Sequence, residues 1–310
     1  MRALLLLALA APLAMSQPRP EQPMDTHILQ SPNLAYQFST QTLGSADGQR
    51  HYRLWIARPQ RQAPAAGYPV VYLLDGNAAL GALDANLLQQ LSRGSAPVLV
   101  AVGYDTPLRI ERTARTFDYT PQVAGAEQKD PLTGQPSGGA DAFLDLLEQR
   151  IKPLVASGMP LDSQRQALWG HSYGGLLVLH ALLTRPGEFQ TYASASPSLW
   201  WGPAPLQAEA PGFAQRLGKQ RAQLLLMRGD NEPGSPRAAP SGQPADSAAR
   251  TLLSTLQPVK GLHTEYKTFP GLGHGPMLDT SLRYTLQWLE DHAPHPVGTD
   301  SSAKKTPLGT

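Results

Sequence analysis

An α/β fold, built on a mainly parallel central sheet with helices on both faces, is what this 310-residue sequence predicts. Three observations lead there. Short, nearly continuous apolar runs such as Pro69–Leu74 and Pro97–Val102 have strand length and lack the alternation of a half-solvated sheet, so both their faces are covered. Helical segments, apolar on one face or throughout, separate them. The alternation continues over roughly 240 residues, which is the pattern of consecutive strand–helix–strand units.

In chain order, Tyr52, Leu54 and Ile56 alternate with Arg53 and Trp55 and predict a half-buried strand. Pro69–Leu74 is a buried strand ending in Asp75-Gly76-Asn77, and Ala79–Leu91, rich in Ala, Leu and Gln, reads as helix. Pro97–Val102 is a second buried strand, stopped by Gly103. The polar, Gly-, Pro- and Arg-containing stretch from Tyr104 to about Gly139 reads as a loop or lid. Phe143, Leu144, Leu147 and Ile151 share one face of a helix starting near Asp141. Gln166–Trp169, Thr191–Ala195, Gln223–Met227 and Thr264–Phe269 read as strands. Tyr173–Leu183 and Ala245–Leu256 read as helices. Leu278, Leu282, Leu286 and Leu289 mark a last helix with Asp279 as its N-cap.

Composition narrows the function classes. Lys and Arg number 26 against 24 Asp and Glu, a net charge of +2, which gives no case for wholesale nucleic-acid binding. The absence of cysteine removes disulfides, thiolate metal sites and a cysteine nucleophile. Met1-Arg2, the apolar run Ala3–Met15 and small residues at Ala14 and Ser16 form a secretory signal peptide over 1–16, too short to span a bilayer. The expected address is the periplasm, with no membrane insertion. A catalytic domain over 17–292 and a Pro-, Ser-, Thr- and Lys-rich tail over 293–310 complete the division.

In parallel sheets of this kind ligands gather at the carboxyl ends of the strands. The loop after Trp169 reads Gly170-His171-Ser172-Tyr173-Gly174, a G-x-S-x-G pattern between a strand and an apolar helix. So tight a turn strains the serine backbone and lifts its Oγ clear of the sheet, which makes Ser172 the candidate nucleophile. A serine hydroxyl needs a base, and the base belongs on a late loop. His274, between Gly273 and Gly275 and just before the last helix, fills that place. The acid belongs after Gln223–Met227, where both Asp230 and Glu232 stand; spacing does not separate them, and a Ser–His dyad remains open. The oxyanion hole needs two backbone N–H groups. One is that of Tyr173, after the nucleophile; the other comes from Asp75-Gly76-Asn77, with Asn77 first and Gly76 second.

Tyr68-Pro-Val-Val-Tyr-Leu-Leu-Asp-Gly-Asn77, Trp169-Gly-His-Ser-Tyr-Gly-Gly175, Ser194-Ala-Ser-Pro-Ser-Leu-Trp200 and Gly271-Leu-Gly-His-Gly-Pro-Met277 resemble the putative-esterase (esterase D) family. The chain is most similar there to the periplasmic trilactone siderophore esterases, which cut salmochelin and enterobactin. The Arg112–Pro121 segment and Gly138–Phe143 resemble the same subgroup, and the likeness spans about residues 28 to 290. It implies an α/β-hydrolase fold, Ser172 as nucleophile and His274 as base. Related mycolyltransferases carry a Glu in a loop resembling Asn231-Glu232, which favours Glu232, while some trilactone esterases work as a Ser–His dyad. The implied substrate is a catecholate siderophore on a tri-serine lactone, loaded with iron or free of it, and no metal cofactor is implied.

A ferric tris-catecholate is anionic, and Arg109, Arg112 and Arg115 cluster in the polar stretch after Gly103. Arg112 and Arg115 are the expected charge contacts, and Trp200, beside Trp201, the expected aromatic wall. Two other readings keep the same residues: an esterase or acyltransferase for another carboxyl ester, and a non-catalytic periplasmic siderophore carrier.

Overall fold

Eight strands form one sheet in the order β1-β2-β4-β3-β5-β6-β7-β8, in a computed structural model that describes residues 22–123, 128–201, 205–233 and 246–292. The signal peptide over 1–16 and the tail over 293–310 lie outside the described residues. The strands are β1 (Tyr36–Gly44), β2 (His51–Pro59), β3 (Tyr68–Leu73), β4 (Val98–Tyr104), β5 (Leu161–His171), β6 (Thr191–Ala195), β7 (Ala222–Gly229) and β8 (Leu262–Phe269). Only β2 runs against the rest: it is antiparallel to both β1 and β4, and every other pairing is parallel.

The central strands are buried from end to end, as their unbroken apolar runs require. Alternate residues feed two cores. Val70, Tyr72 and Leu74 point to one face, and Val71 and Leu73 to the other. The helices are α1 (His27–Gln30), α2 (Gly76–Gly81), α3 (Ala85–Arg93), α4 (Arg112–Asp118), α5 (Ala140–Leu146), α6 (Lys152–Gly158), α7 (Tyr173–Thr184), α8 (Pro205–Glu209), α9 (Phe213–Leu217), α10 (Ser247–Leu256) and α11 (Met277–Asp291). Residues of α5, α6, α7, α9 and α10 join the first core, and those of α2, α3 and α11 the second. Helix α7 is buried from Tyr173 to Leu183, which explains why it is apolar all round.

Four expectations about the elements change. Residues 79–91 are two helices, because Asp84 breaks the run and caps α3 by accepting the Leu87 N–H at 2.8 Å. Strand β1 has only Tyr36 buried, so its polar, edge-facing sequence shows little strand periodicity. The last helix starts at Met277, and Asp279 sits in its first turn, paired with Arg109 at 3.2 Å instead of capping. The stretch 104–139 is an ordered insertion carrying α4. Its Asp118 is buried, accepts the hydroxyls of Tyr52 and Tyr104 at 2.9 and 3.0 Å, and pairs with Arg50 at 2.9 Å, fastening the insertion to β2 and β4.

Candidate active site

Ser172 stands between the end of β5 and the first residue of α7, with φ 60° and ψ −115°. A non-glycine residue in that region is strained by about 1–3 kcal/mol and persists only where its surroundings fix it. Here the Ser172 N–H donates to the Ala195 carbonyl at 2.9 Å, and its carbonyl accepts from Leu176 at 3.0 Å and Ser198 at 3.2 Å. A Cβ on Gly170 would collide with the Gly174 carbonyl, so the turn closes only with glycine there. The Ser172 and Ser198 hydroxyls lie 3.4 Å apart.

The neighbouring loops are stitched together at the same end of the sheet. Asn231 N–H donates to the Leu272 carbonyl at 3.1 Å, and Gly271 N–H to Asp230 Oδ1 at 2.6 Å. This brings His274 Nδ1 to 3.0 Å from Glu232 Oε2. The other oxygen of Glu232 accepts Ser196 Oγ–H at 2.6 Å and the Gly229 N–H at 2.8 Å. Burial alone would raise the Glu232 pKa; hydrogen bonds from His274, Ser196 and Gly229 outweigh it and hold the carboxyl below its ordinary range. An ionised carboxylate only accepts, so His274 Nδ1 carries the hydrogen and Nε2 of the neutral ring keeps its lone pair. Asp230, in contrast, is exposed and committed to the Gly271 backbone.

His274 is also held against the nucleophile turn. His171, the residue before Ser172, places Nε2 2.9 Å from the His274 carbonyl, with ring centroids 4.7 Å apart. Burial, then the His274 ring and Arg115, push His171 well below its usual pKa, so it is a neutral donor.

Asn77 and Tyr173 open the first turns of α2 and α7, where backbone N–H groups lack intrahelical acceptors. The two turns are adjacent because β3 and β5 are paired in parallel, with Leu73 opposite Trp169. The Asn77 side chain is spent on structure: it donates to the Tyr104 and Thr106 carbonyls at 3.1 and 3.0 Å and accepts the Tyr104 N–H at 2.8 Å. Its N–H, not its amide, is what faces the task.

The expected substrate contacts divide. Arg112 is exposed at the start of α4. Trp200 is half-buried, its ring centroid 6.0 Å from that of Tyr173. Arg115 is not such a contact: it is buried, and its guanidinium grips Asp75 through two bonds of 2.7 and 2.8 Å. Sequence reasoning passed over Ser196, Ser198, Asp75 and Asp130, whose Oδ2 accepts both Tyr173 Oη–H at 2.6 Å and Trp201 Nε1–H at 2.8 Å. The hydroxyl-rich run Ser194–Ser198 after a central strand was the available sign for the first two.

Comparison with known proteins agrees with this geometry. The family model described as Putative esterase matches residues 45–272. Apo-salmochelin esterase of Escherichia coli O6:H1 is 41% identical over 268 residues, 86% of this chain and 83% of the relative. Ferri-bacillibactin esterase BesA of Bacillus subtilis is 32% identical over 266 residues, 82% of this chain and 90% of the relative. The solved structure of Enterobactin and Salmochelin Hydrolase IroE superposes with a TM-score of 0.69 at 40% identity, covering 85% of this chain and 98% of that one. The eight-stranded, mostly parallel sheet with helices on both faces is an α/β-hydrolase fold, and the chain belongs to the putative-esterase family of carboxylic ester hydrolases.

Proposed function

We propose that this protein hydrolyses the ester bonds of a catecholate trilactone siderophore, with Ser172, His274 and Glu232 as its triad. The observation that carries the reading is the chain of contacts from Ser196 through Glu232 to His274 Nδ1, with the His274 carbonyl held by the residue next to Ser172. Ser172 Oγ attacks the lactone carbonyl as His274 Nε2 takes its proton, and Glu232 stabilises the imidazolium. The developing oxyanion is received by the N–H groups of Asn77 and Tyr173. His274 then protonates the leaving seryl oxygen. Water, deprotonated by the same imidazole, releases the acid and restores Ser172. The substrate class is supported by the relatives, which are named for salmochelin and ferri-bacillibactin. Iron, where present, is cargo of the substrate.

Arg112 and Trp200 flank the ring of Tyr173 and suit an anionic, aromatic ligand. The leader over 1–16 supports a periplasmic setting, and among the described residues no helix is long and apolar enough to cross a membrane. The test is purified protein incubated with apo- and ferric enterobactin, products resolved by mass, beside Ser172→Ala. Seryl-catecholate products from the wild type alone are expected. Tight binding with no turnover in either protein would leave only a carrier. Arg112→Ala is expected to raise KM for the ferric substrate more than for p-nitrophenyl acetate.

A further inference from the structure

We infer that Arg115 is a positioning residue for the oxyanion hole, setting both of its backbone donors at once; this rests on the esterase reading above. Arg115 comes from α4, in the insertion between β4 and α5, yet its guanidinium lies under the two turns that carry Asn77 and Tyr173. Toward the first turn, Nε and a terminal nitrogen donate to the two oxygens of Asp75 at 2.7 and 2.8 Å. Asp75 precedes Asn77 by two residues and adopts φ 50°, ψ 48°, a left-handed conformation. Its remaining groups are also engaged. The N–H donates to Tyr119 Oη at 3.1 Å, and the carbonyl accepts from Ala78 and Ala79 at 2.8 and 3.0 Å. Toward the second turn, the guanidinium carbon is 5.3 Å from the ring centre of Tyr173, a cation–π distance. The Tyr173 hydroxyl is pinned at its far end by Asp130.

A buried ion pair is a poor device for stability, since an apolar pair of similar volume serves as well. What the planar fork of an arginine supplies is orientation. Locking the Asp75 carboxylate fixes the peptide units that follow, and with them the direction of the Asn77 N–H. Sideways relief is closed off: a Cβ at Gly76 would stand 2.6 Å from the Gly103 nitrogen, so this turn already touches β4 backbone. A second effect is electrostatic. Asp75 Oδ2 would lie 3.6 Å from a Cβ placed on Gly174, beside the nucleophile's own helix turn. Without its cation that carboxylate would oppose the negative charge that forms on the carbonyl oxygen.

The test uses p-nitrophenyl acetate, a neutral ester that needs no cationic subsite, with Arg115→Ala, Arg115→Lys, Asp75→Asn and the Asp75→Asn/Arg115→Ala double variant. Arg115→Ala is expected to lower kcat about 100-fold with KM within twofold, the order seen when an oxyanion donor is lost. Lysine restores little, because an ammonium cannot fork. Millimolar guanidinium ion, but not methylammonium, raises the alanine variant's kcat several-fold. The double variant is faster than Arg115→Ala, because it carries no uncompensated carboxylate. An unchanged kcat in folded Arg115→Ala, or a rise in KM confined to an anionic siderophore, overturns the inference. If Arg115→Ala does not fold, the double variant is read in its place; if that also fails to fold, Arg115 determines the fold and the inference falls. Ser172→Ala is run alongside. Wild-type turnover that survives in it removes the esterase reading itself, an outcome distinct from a null effect at Arg115.

Discussion

Replacing Ser172 by glycine and by alanine separates the strain of the nucleophile turn from its chemistry. Both variants lose the hydroxyl, and both are expected to lose activity by several orders of magnitude. They differ in the backbone. Alanine keeps a Cβ at φ 60°, ψ −115°, whereas glycine adopts that conformation without penalty. The strain released is about 1–3 kcal/mol. Glycine's greater freedom in the unfolded chain costs about 0.5–1 kcal/mol in return. The difference leaves Ser172→Gly more stable than Ser172→Ala by about 1 kcal/mol, or about 2–4 °C in Tm for a domain of this class. Urea unfolding of the two purified variants measures it, provided their m-values agree. If Ser172→Ala proves as stable as Ser172→Gly, or more so, the turn stores no strain and the account of how Oγ is presented is wrong.

Glu232→Gln is expected to lower kcat by about 10³–10⁴ with little change in KM, because an amide no longer stabilises the imidazolium; a loss under tenfold would mark a working Ser–His dyad. The same carboxyl has a depressed folded pKa. Its stabilising contribution is therefore present above the ordinary value of 4.5 and lost as pH falls through the folded one, so Glu232→Gln should flatten the acid side of a stability–pH curve. His180, on α7, gives the opposite sign. Burial alone would lower its pKa, but hydrogen bonds with Asp141 at 3.3 Å and Glu209 at 2.8 Å raise it to about 9. The raised value contributes about 3 kcal/mol below pH 6.5, lost as pH rises through about 9. Denaturant unfolding at pH 6 and pH 10 should show that loss in the wild type and not in His180→Leu; equal losses in both would refute it.

The parts of the site that a linear reading reaches are those fixed by one strand and its next loop. Ser172, His274 and the Asp75–Asn77 turn each follow an apolar strand directly, so their places at the carboxyl end of the sheet were legible. The choice between Asp230 and Glu232 was not, because it depends on which side chain the loop turns inward once it is stitched to Gly271 and Leu272. The arginines show the same limit. Arg112 and Arg115 are three apart and read as one positive patch, but a short helix leaves the first in water and buries the second against Asp75. Strand β1 escaped notice because an edge strand with one buried residue owes its existence to its partner, β2, more than to its own pattern.

The Asp75–Arg115 clamp joins a segment that varies freely in principle, the excursion between β4 and α5, to the part of the protein that cannot vary. Exchanging that excursion for a relative's, to retarget the enzyme to a different chelator, would therefore replace a brace as well as a wall. Grafts that preserve a guanidinium at 115 and a phenol at 119 should keep turnover while altering selectivity, and those that do not should give catalysts that hold their ligand but turn it over poorly.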